Sequence, residues 1–254
     1  MKPYELRELI RNEEFVKSTT GACNDFAQAN LVILPKEYAF DFLLYTQRNH
    51  KACPVIDVLE AGQIESRLAK GSDIRTDIPL YYIYEDGQFV EEMTDITRIW
   101  QDDFVSFLLG CSFTFESALI KEGIPLRHID ENKNVAMYRT NIATEPAGQF
   151  SGPLVVSMRP VKNNQVERAK AITSRFPNMH GAPVHVGDPA VIGIEDISSP
   201  DYGEFVEVKE DETPVFWACG VTPQAAAVNT KIPRIITHAP GHMFVTDKKN
   251  EDFQ

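Results

Sequence analysis

The sequence predicts a mixed α/β fold (α+β), in which a larger three-layer α/β domain carries a smaller two-layer α/β domain inserted into it. The chain has 254 residues, enough for one large domain or two small ones. Apolar patterns of helical and of strand-like spacing occur in both halves. A middle block with the order strand, strand, helix is typical of a two-layer unit. We therefore assign residues 1–120 and 190–254 to the larger domain and residues 121–189 to the smaller one.

The spacing of apolar residues predicts the elements of the first half. They are, in order, a helix over residues 3–12, an apolar run LVIL (31–34) that ends at Pro35, a helix over 36–49, a strand PVIDVLE (54–60), a hairpin LYYIYEDGQFVEE (80–92), a helix over about 94–109 and a helix over about 113–122. The hairpin is predicted because aromatic and β-branched residues flank an Asp86-Gly87 turn. The last helix is predicted to begin after Ser112 and to stop at Gly123.

The second half contains further strand and helix patterns. They are the strands VAMYRTNI (135–142) and PLVVSMRPV (153–161), the amphipathic helix NQVERAKAITSRF (164–176), the apolar strand VFWACG (215–220), the helix VTPQAAAVN (221–229) and the segment IITHAPGHMFVTD (235–247). The helix at 221–229 is expected to have Thr222 as its cap and Pro223 at its first helical position. The last segment is predicted to be a strand, a tight turn and a strand.

The composition and charge of the chain indicate which partners and which cellular compartment to expect. The formal net charge of −12 argues against nucleic acid and anionic membranes as partners, because neither would be attracted. A small anionic substrate stays possible, since it responds to a local cation. The apolar runs are too short to span a bilayer, no apolar segment of a secretory signal is seen, and the four cysteines form no CxxC pair. We expect a cytoplasmic protein without a cofactor; association into a homo-oligomer stays open.

Two helix starts and two arginines are candidates for binding an anion. The segments GCSFTFE (110–116) and ACGVTPQ (218–224) bring Ser112, Thr222 and Gln224 to helix N-termini, where free N–H groups favour a carboxylate. The alternative is simple capping. Arg139, with Asn141 nearby, and Arg159, with Ser157 nearby, lie in apolar strand patterns and need a partner. That partner is either a substrate carboxylate or an internal acidic residue.

Four of the six histidines lie in two segments rich in Pro and Gly. His238 and His242 are four residues apart, and His180 and His185 lie in FPNMHGAPVHVGDP (176–189). Pro and Gly between His238 and His242 make a zinc-binding helix improbable, so metal binding is the minority interpretation. A role in acid/base catalysis or substrate orientation is favoured, because imidazole titrates near neutral pH. The alternative is that the rings simply bind loop backbone.

Taken together, several blocks resemble the D-glutamate cyclase family of bacterial hydro-lyases. They are QANLVILPKEYAFDFLLYTQRN, RTDIP, GCSFTFE, MYRTNI, SGPLVVSMRP, TSRFPNMHGAPVHVGDP, VFWACGVTPQAA and ITHAPGHMFVTD, from near residue 5 to Asp247. The resemblance implies two unlike α/β domains and a lyase that removes water from D-glutamate to form 5-oxo-D-proline. In the segment NEEFVKSTTGACNDF (12–26) the chain departs from the Gly- and Pro-rich approach expected for this family. The resemblance itself assigns no catalytic residue.

Our own expectation for the site follows from the chemistry of ring closure. Arg139 or Arg159 would bind the α-carboxylate, and His238 or His242 would handle the proton. The helix start at Thr222 to Gln224, with Ser112, would stabilise the oxyanion. A second group, His180, His185 and Asp188, would line the same cleft. Dehydration of another small acid, or non-catalytic binding of an amino acid or 5-oxoproline, are the alternatives.

Overall fold

A computed structural model describes residues 1–254 and contains two antiparallel sheets and six helices. The helices are α1 (Pro3–Arg11), α2 (Lys36–Arg48), α3 (Phe113–Lys121), α4 (Arg127–Asp130), α5 (Val166–Thr173) and α6 (Val221–Val228). The strands are β1 (Phe26–Pro35), β2 (Val55–Leu59), β3 (Tyr81–Glu85), β4 (Gln88–Met93), β5 (Phe104–Gly110), β6 (Met137–Ala143), β7 (Pro153–Lys162), β8 (His185–Val186), β9 (Glu212–Ala218), β10 (Ile235–His238) and β11 (Phe244–Lys249). No helix is long and apolar enough to cross a membrane.

The larger sheet has seven strands, and β1 lies at its centre. Its strand order is β2-β5-β1-β10-β3-β4, with β11 also paired to β1. One edge of β1 pairs with β5 along its length, whereas the other edge is shared. Phe26 to Ala29 pair with β11, and Val32 and Ile33 pair with β10. The turn between β10 and β11 therefore lies against the middle of β1, in the interior of the protein.

The smaller sheet has the order β6-β7-β9-β8 and shares a hydrophobic core with the larger one. Side chains from both sheets meet there, for example Val32 and Phe107 of the larger sheet with Val156 and Phe216 of the smaller one. Helix α6 packs between them against β7, β1 and β10. On the outer face of the smaller sheet, α3 and α5 cover a second core around Trp217. This sandwich places the start of α6 close to both sheets.

The predicted mixed α/β class is confirmed, and the structure corrects one strand assignment. Every strand pairing is antiparallel, so the rule that ligands gather beyond the carboxyl ends of parallel strands does not apply here. The strand over 215–220, assigned to the larger domain, belongs to the smaller sheet as β9, because it pairs along the length of β7. The division into two domains stays a prediction, since the two sheets share one core.

The helix predicted over residues 94–109 is wrong. Only a single turn forms there, at Thr97–Ile99, and Phe104–Gly110 form the strand β5. All seven β5 residues are buried, because β5 lies between β1 and β2. A strand buried on both faces is continuously apolar, and a short continuous run also contains apolar residues at helical spacing. Periodicity alone therefore favoured the wrong element.

Most other predicted elements are confirmed, with one difference at a cap. The hairpin turns at Asp86 and Gly87, whose φ angles of 48° and 79° are those of a two-residue turn with left-handed backbone. Helix α3 begins directly after Ser112, as predicted. Helix α6 begins at Val221, so Thr222 does not cap it and Pro223 is its third residue, not its first. Instead, Thr222 Oγ1 accepts the Val155 N–H at 3.0 Å, which ties α6 to β7.

Candidate active site

His238 completes the hydrogen bonding of the central strand. It is the last residue of β10, at the point where β11 no longer covers the edge of β1. The Leu31 N–H donates to its Nδ1 at 3.0 Å, and the Gln224 amide donates to the same nitrogen at 2.7 Å. Because Nδ1 accepts these bonds, the proton of the neutral ring lies on Nε2. Burial lowers the pKa of His238 to about 4, so the ring is neutral at physiological pH.

His242 has the opposite arrangement of protons. Its Nδ1 lies 3.0 Å from the Pro240 carbonyl oxygen, which only accepts, so Nδ1 carries the hydrogen. The Nε2 atom makes no hydrogen bond with the protein and is therefore a free proton acceptor. Burial lowers the pKa of this half-buried ring below its usual value, which keeps it unprotonated near neutral pH. No group of three or more His, Cys, Asp or Glu side chains is placed to hold a metal ion.

The turn that carries both rings is held from the N-terminal loop. The Gly241 carbonyl accepts the Thr19 N–H at 2.9 Å and the Ser18 hydroxyl at 2.9 Å. In return, Thr19 Oγ1 accepts the Met243 N–H at 3.0 Å. Gly241 has a φ of +80°, a conformation that side chains rarely adopt, and a Cβ there would lie 3.0 Å from Ser18 Oγ. The turn is thus a defined structure and not a loose loop.

A cavity of about 150 Å³ joins this turn to both sheets. Its polar lining consists of Tyr82, Tyr84, Arg139, Tyr202, Gln224 and Asn229, and Pro240 of the turn also lines it. Burial raises the pKa of Tyr82 and Tyr84, so both hydroxyls keep their protons at neutral pH. We call this space the Arg139 cavity. Pro240 of the C-terminal turn, Gln224 near the start of α6 and the strand residue Arg139 all line it, whereas the neighbouring rings of His238 and His242 are not among its lining residues.

Arg139 is a cation without an acidic partner. Its side chain is exposed and makes no ion pair or hydrogen bond, while its backbone N–H binds Asp201 at 2.8 Å. The guanidinium is therefore free to bind an anion in the cavity. Gln224 offers the complementary group. Its Nε2 atom lies 2.7 Å from His238 Nδ1 and 3.3 Å from the His238 carbonyl, which leaves Oε1 as an acceptor.

Arg159 forms an internal salt bridge, which was the second of the two partners that the sequence allowed for it. It is 1% exposed, and its Nε donates to Glu116 Oε1 at 2.9 Å. Its remaining nitrogens donate to Ser157 and Ser112, each at 2.9 Å. Burial alone would raise the pKa of Glu116, but the charges of Arg159 and His128 outweigh it and lower this pKa to about 2. Ser112, Ser157 and Arg159 thus form a buried cluster and do not line the Arg139 cavity.

The remaining predicted residues lie outside the cavity. His180 is fully buried with Nδ1 3.0 Å from the Lys51 carbonyl, and burial lowers its pKa to about 4. His185 Nε2 lies 2.7 Å from the Asp188 carbonyl. Asn141 is exposed and packs beside Gly193, and Thr222 is buried against β7. A role for these four in substrate binding stays a prediction.

Sequence reasoning missed the three tyrosines of the cavity. Tyr82 and Tyr84 alternate with the core residues Tyr81 and Ile83 along β3, so they point to the opposite face of the sheet. The sequence LYYIYE predicts that alternation, but it does not predict what Tyr82 and Tyr84 face. Tyr202 also lines the cavity, and a single backbone bridge to Met137 holds it beside the smaller sheet. It lies in a segment without a helical or strand-like pattern.

Comparison with known proteins decides the family. The family model for D-glutamate cyclase matches residues 105–247, which is more than half of the chain. A protein of Geobacillus kaustophilus is 59% identical over 99% of this chain and 96% of its own length. The chain belongs to the D-glutamate cyclase family.

Other relatives of this D-glutamate cyclase family member show the same extent of similarity. A protein of Corynebacterium urealyticum is 58% identical over 100% of this chain and 97% of its own length. A protein of Psychrobacter arcticus is 57% identical over 99% of this chain and 96% of its own length. These three relatives carry the name "Putative hydro-lyase", which, together with the family, supports the lyase class. A nitrogen repressor-like protein of Methanococcus jannaschii covers 98% of this chain and 99% of its own at 10% identity and a TM-score of 0.41, too low to argue from.

Proposed function

We propose that this protein is a hydro-lyase that cyclises D-glutamate to 5-oxo-D-proline in the Arg139 cavity. The observation that carries the proposal is that an unpaired arginine, Arg139, lines the same cavity as Gln224 and Pro240. A free guanidinium beside neutral polar groups suits a small amino acid with two carboxylates. The family name supports the substrate.

Binding would use the complementary groups of the cavity. Arg139 would hold the α-carboxylate through its planar fork, because two parallel N–H groups match two carboxylate oxygens. Gln224 Oε1 would accept a hydrogen bond from the amine, since its Nε2 is already directed at His238. The Tyr82 and Tyr84 hydroxyls, which stay protonated, would donate to the γ-carboxylate. Holding the folded chain in this way removes the entropy cost of ring closure.

Ring closure requires two protons to move from nitrogen to oxygen. The α-ammonium loses one proton to become a nucleophile and a second after the N–C bond forms, and the departing γ-oxygen gains both and leaves as water. His242 Nε2 is the acceptor that this turn offers, and the imidazolium formed there would return the proton to the oxygen. The His238 Nε2–H would donate a hydrogen bond and stay neutral, because its pKa of about 4 disfavours a charge.

A direct assay of the purified protein tests the proposal. The chain is incubated with D-glutamate and separately with L-glutamate, with and without a chelator, and 5-oxoproline is followed by proton NMR. Formation of 5-oxo-D-proline that is lost in Arg139→Met supports the proposal. Turnover that survives this substitution would place the chemistry elsewhere. Thermal stabilisation by glutamate or 5-oxoproline without any product would instead favour a binding protein.

A further inference from the structure

A second cavity of about 200 Å³ lies between the N-terminal loop and α3. It shares no lining residue with the Arg139 cavity. Its walls include Phe26, Phe113, Ile120 and Ile129. Glu116 reaches it from the buried cluster on α3. We call it the Glu116 cavity. Neither the family nor the proposed cyclisation assigns it a ligand.

Gln28 lines this cavity and has an unused acceptor. The residue is 3% exposed, and its Nε2 donates to the Thr19 carbonyl at 3.1 Å and the Ala22 carbonyl at 2.9 Å. These two bonds fix which end of the amide is nitrogen. The Oε1 atom of this lining residue is buried and accepts no hydrogen bond from the protein. A buried acceptor without a donor is unfavourable, so a ligand that supplies an N–H group would be favoured.

Glu116 provides a second acceptor, the carboxylate oxygen that its ion pair with Arg159 leaves unused. Two nitrogens of Arg159, Nε and Nη2, donate to its Oε1 atom, and His128 Nε2 lies 3.2 Å from the same oxygen. The Oε2 atom accepts no hydrogen bond from the protein, although Glu116 is only 4% exposed. Lys121 is the one cation among the lining residues, and Glu251 and Asp25 hold it at 3.3 and 3.6 Å. The interior of the cavity therefore presents acceptors and no free cation.

We propose that the Glu116 cavity binds a primary ammonium group carried on a short apolar stem. The ammonium has three N–H donors, enough for Gln28 Oε1 and Glu116 Oε2 together. The apolar walls would cover the stem, because removing its methylene groups from water is favourable. A carboxylate or phosphate would set further acceptors against these two oxygens and find no free cation there. The site thus offers unused acceptors, whereas the Arg139 cavity offers a free cation.

Titration calorimetry with n-butylammonium chloride tests this site on the full chain. Saturable binding to the wild-type protein is expected, with no binding of tetramethylammonium, which has no N–H group, or of n-butanol, which has no charge. Gln28→Met should weaken butylammonium binding about tenfold or more, because it removes the acceptor and keeps an apolar shape. Absence of saturable butylammonium binding, or equal binding of either control compound, overturns the proposal.

A second variant keeps the test independent of the loop that Gln28 holds. Ile120 is 49% exposed at the rim, so Ile120→Lys should fold normally and place a like charge near the ligand. It should weaken butylammonium binding several-fold. Val191→Lys adds the same charge at a 65% exposed position that does not line the cavity, and it should bind as the wild type does. Equal binding by Ile120→Lys and Val191→Lys would refute the site, whatever the outcome with D-glutamate.

Discussion

The Gln224 amide nitrogen lies 2.7 Å from Nδ1 of His238, so a helix start and a strand end share one hydrogen bond. The two residues are 14 positions apart, and both are buried. The bond fixes the ring so that its Nε2 carries the proton, while Oε1 of Gln224 stays an acceptor on the cavity side. His242, on the same turn, holds its proton on Nδ1 instead. The two histidines of this turn are therefore a donor and an acceptor, not two equivalent bases.

Replacing Arg139 should remove activity and leave stability unchanged. The side chain is exposed and has no ion pair, so Arg139→Met breaks no contact of the folded chain. Loss of the carboxylate contact should lower kcat/KM on D-glutamate about 10²-fold or more. Arg98→Met removes another exposed arginine that has no ion pair and should keep full activity. Steady-state kinetics with a urea unfolding curve for each variant measures both effects. Equal activity of the two variants would exclude Arg139 from the site.

Activity should fall in acid because His242 must be unprotonated to act as a base. Burial lowers its pKa below the usual value of about 6.5. The unprotonated form is present above the folded pKa and is lost as the pH falls through it. The acidic limb of kcat/KM should therefore lie below about pH 6.5, and His242→Gln should lower turnover about 10²-fold and abolish that limb. A pH–rate profile of both proteins is the measurement; an unchanged limb in the variant would assign it to another group.

Replacing Arg159 should destabilise the protein, since its charge neutralises Glu116 inside the core. Arg159→Met leaves that carboxylate buried with only the His128 ring beside it, which costs about 3–5 kcal/mol of unfolding free energy. The double variant Arg159→Met with Glu116→Gln removes both charges and should recover part of the loss. Urea unfolding of the single and double variants measures the coupling. A single variant as stable as the wild type would show that the buried pair contributes nothing to folding.

Two buried histidines should make stability depend on pH between about 6.5 and 4. The folded pKa of His238 and of His180 is about 4, because burial disfavours the charged ring. The unfolded chain therefore takes up protons first as the pH falls below about 6.5, and stability is lost through that window. Above it, the contribution of both rings is complete. The ion pair of Glu116, whose pKa is about 2, adds a further loss only below about pH 4.5.

Unfolding free energies at about pH 7.5 and about pH 5 test this dependence. His238→Gln keeps a carbonyl acceptor for the Leu31 N–H and removes the titrating ring, so it should lose less stability on acidification than the wild type. His50→Gln makes the same change at an exposed ring and should behave as the wild type does. If His238→Gln and the wild type lose the same free energy, the ring at 238 does not control the acid response.

Much of the local structure and the family could be predicted from the sequence. The hairpin at Asp86-Gly87, helix α3 after Ser112 and the strand-turn-strand that carries His238 and His242 follow from turn chemistry, capping and apolar spacing, which are local properties. The position of Arg139 and of Arg159 within strands was also readable. Both arginines have hydroxyl or amide neighbours in sequence, and nothing local distinguishes them.

Only the tertiary structure decided what each of these groups does. Arg159 is paired because α3 places Glu116, 43 residues earlier in the chain, against β7, whereas Arg139 emerges where no acidic side chain reaches its guanidinium. Residues 104–110 form a strand because β1 and β2 offer their edges on both sides. His238 became a neutral donor because β11 leaves the Leu31 N–H uncovered. In each case the deciding partner is distant in sequence, so burial and hydrogen bonding with that partner, and not local propensity, set the outcome.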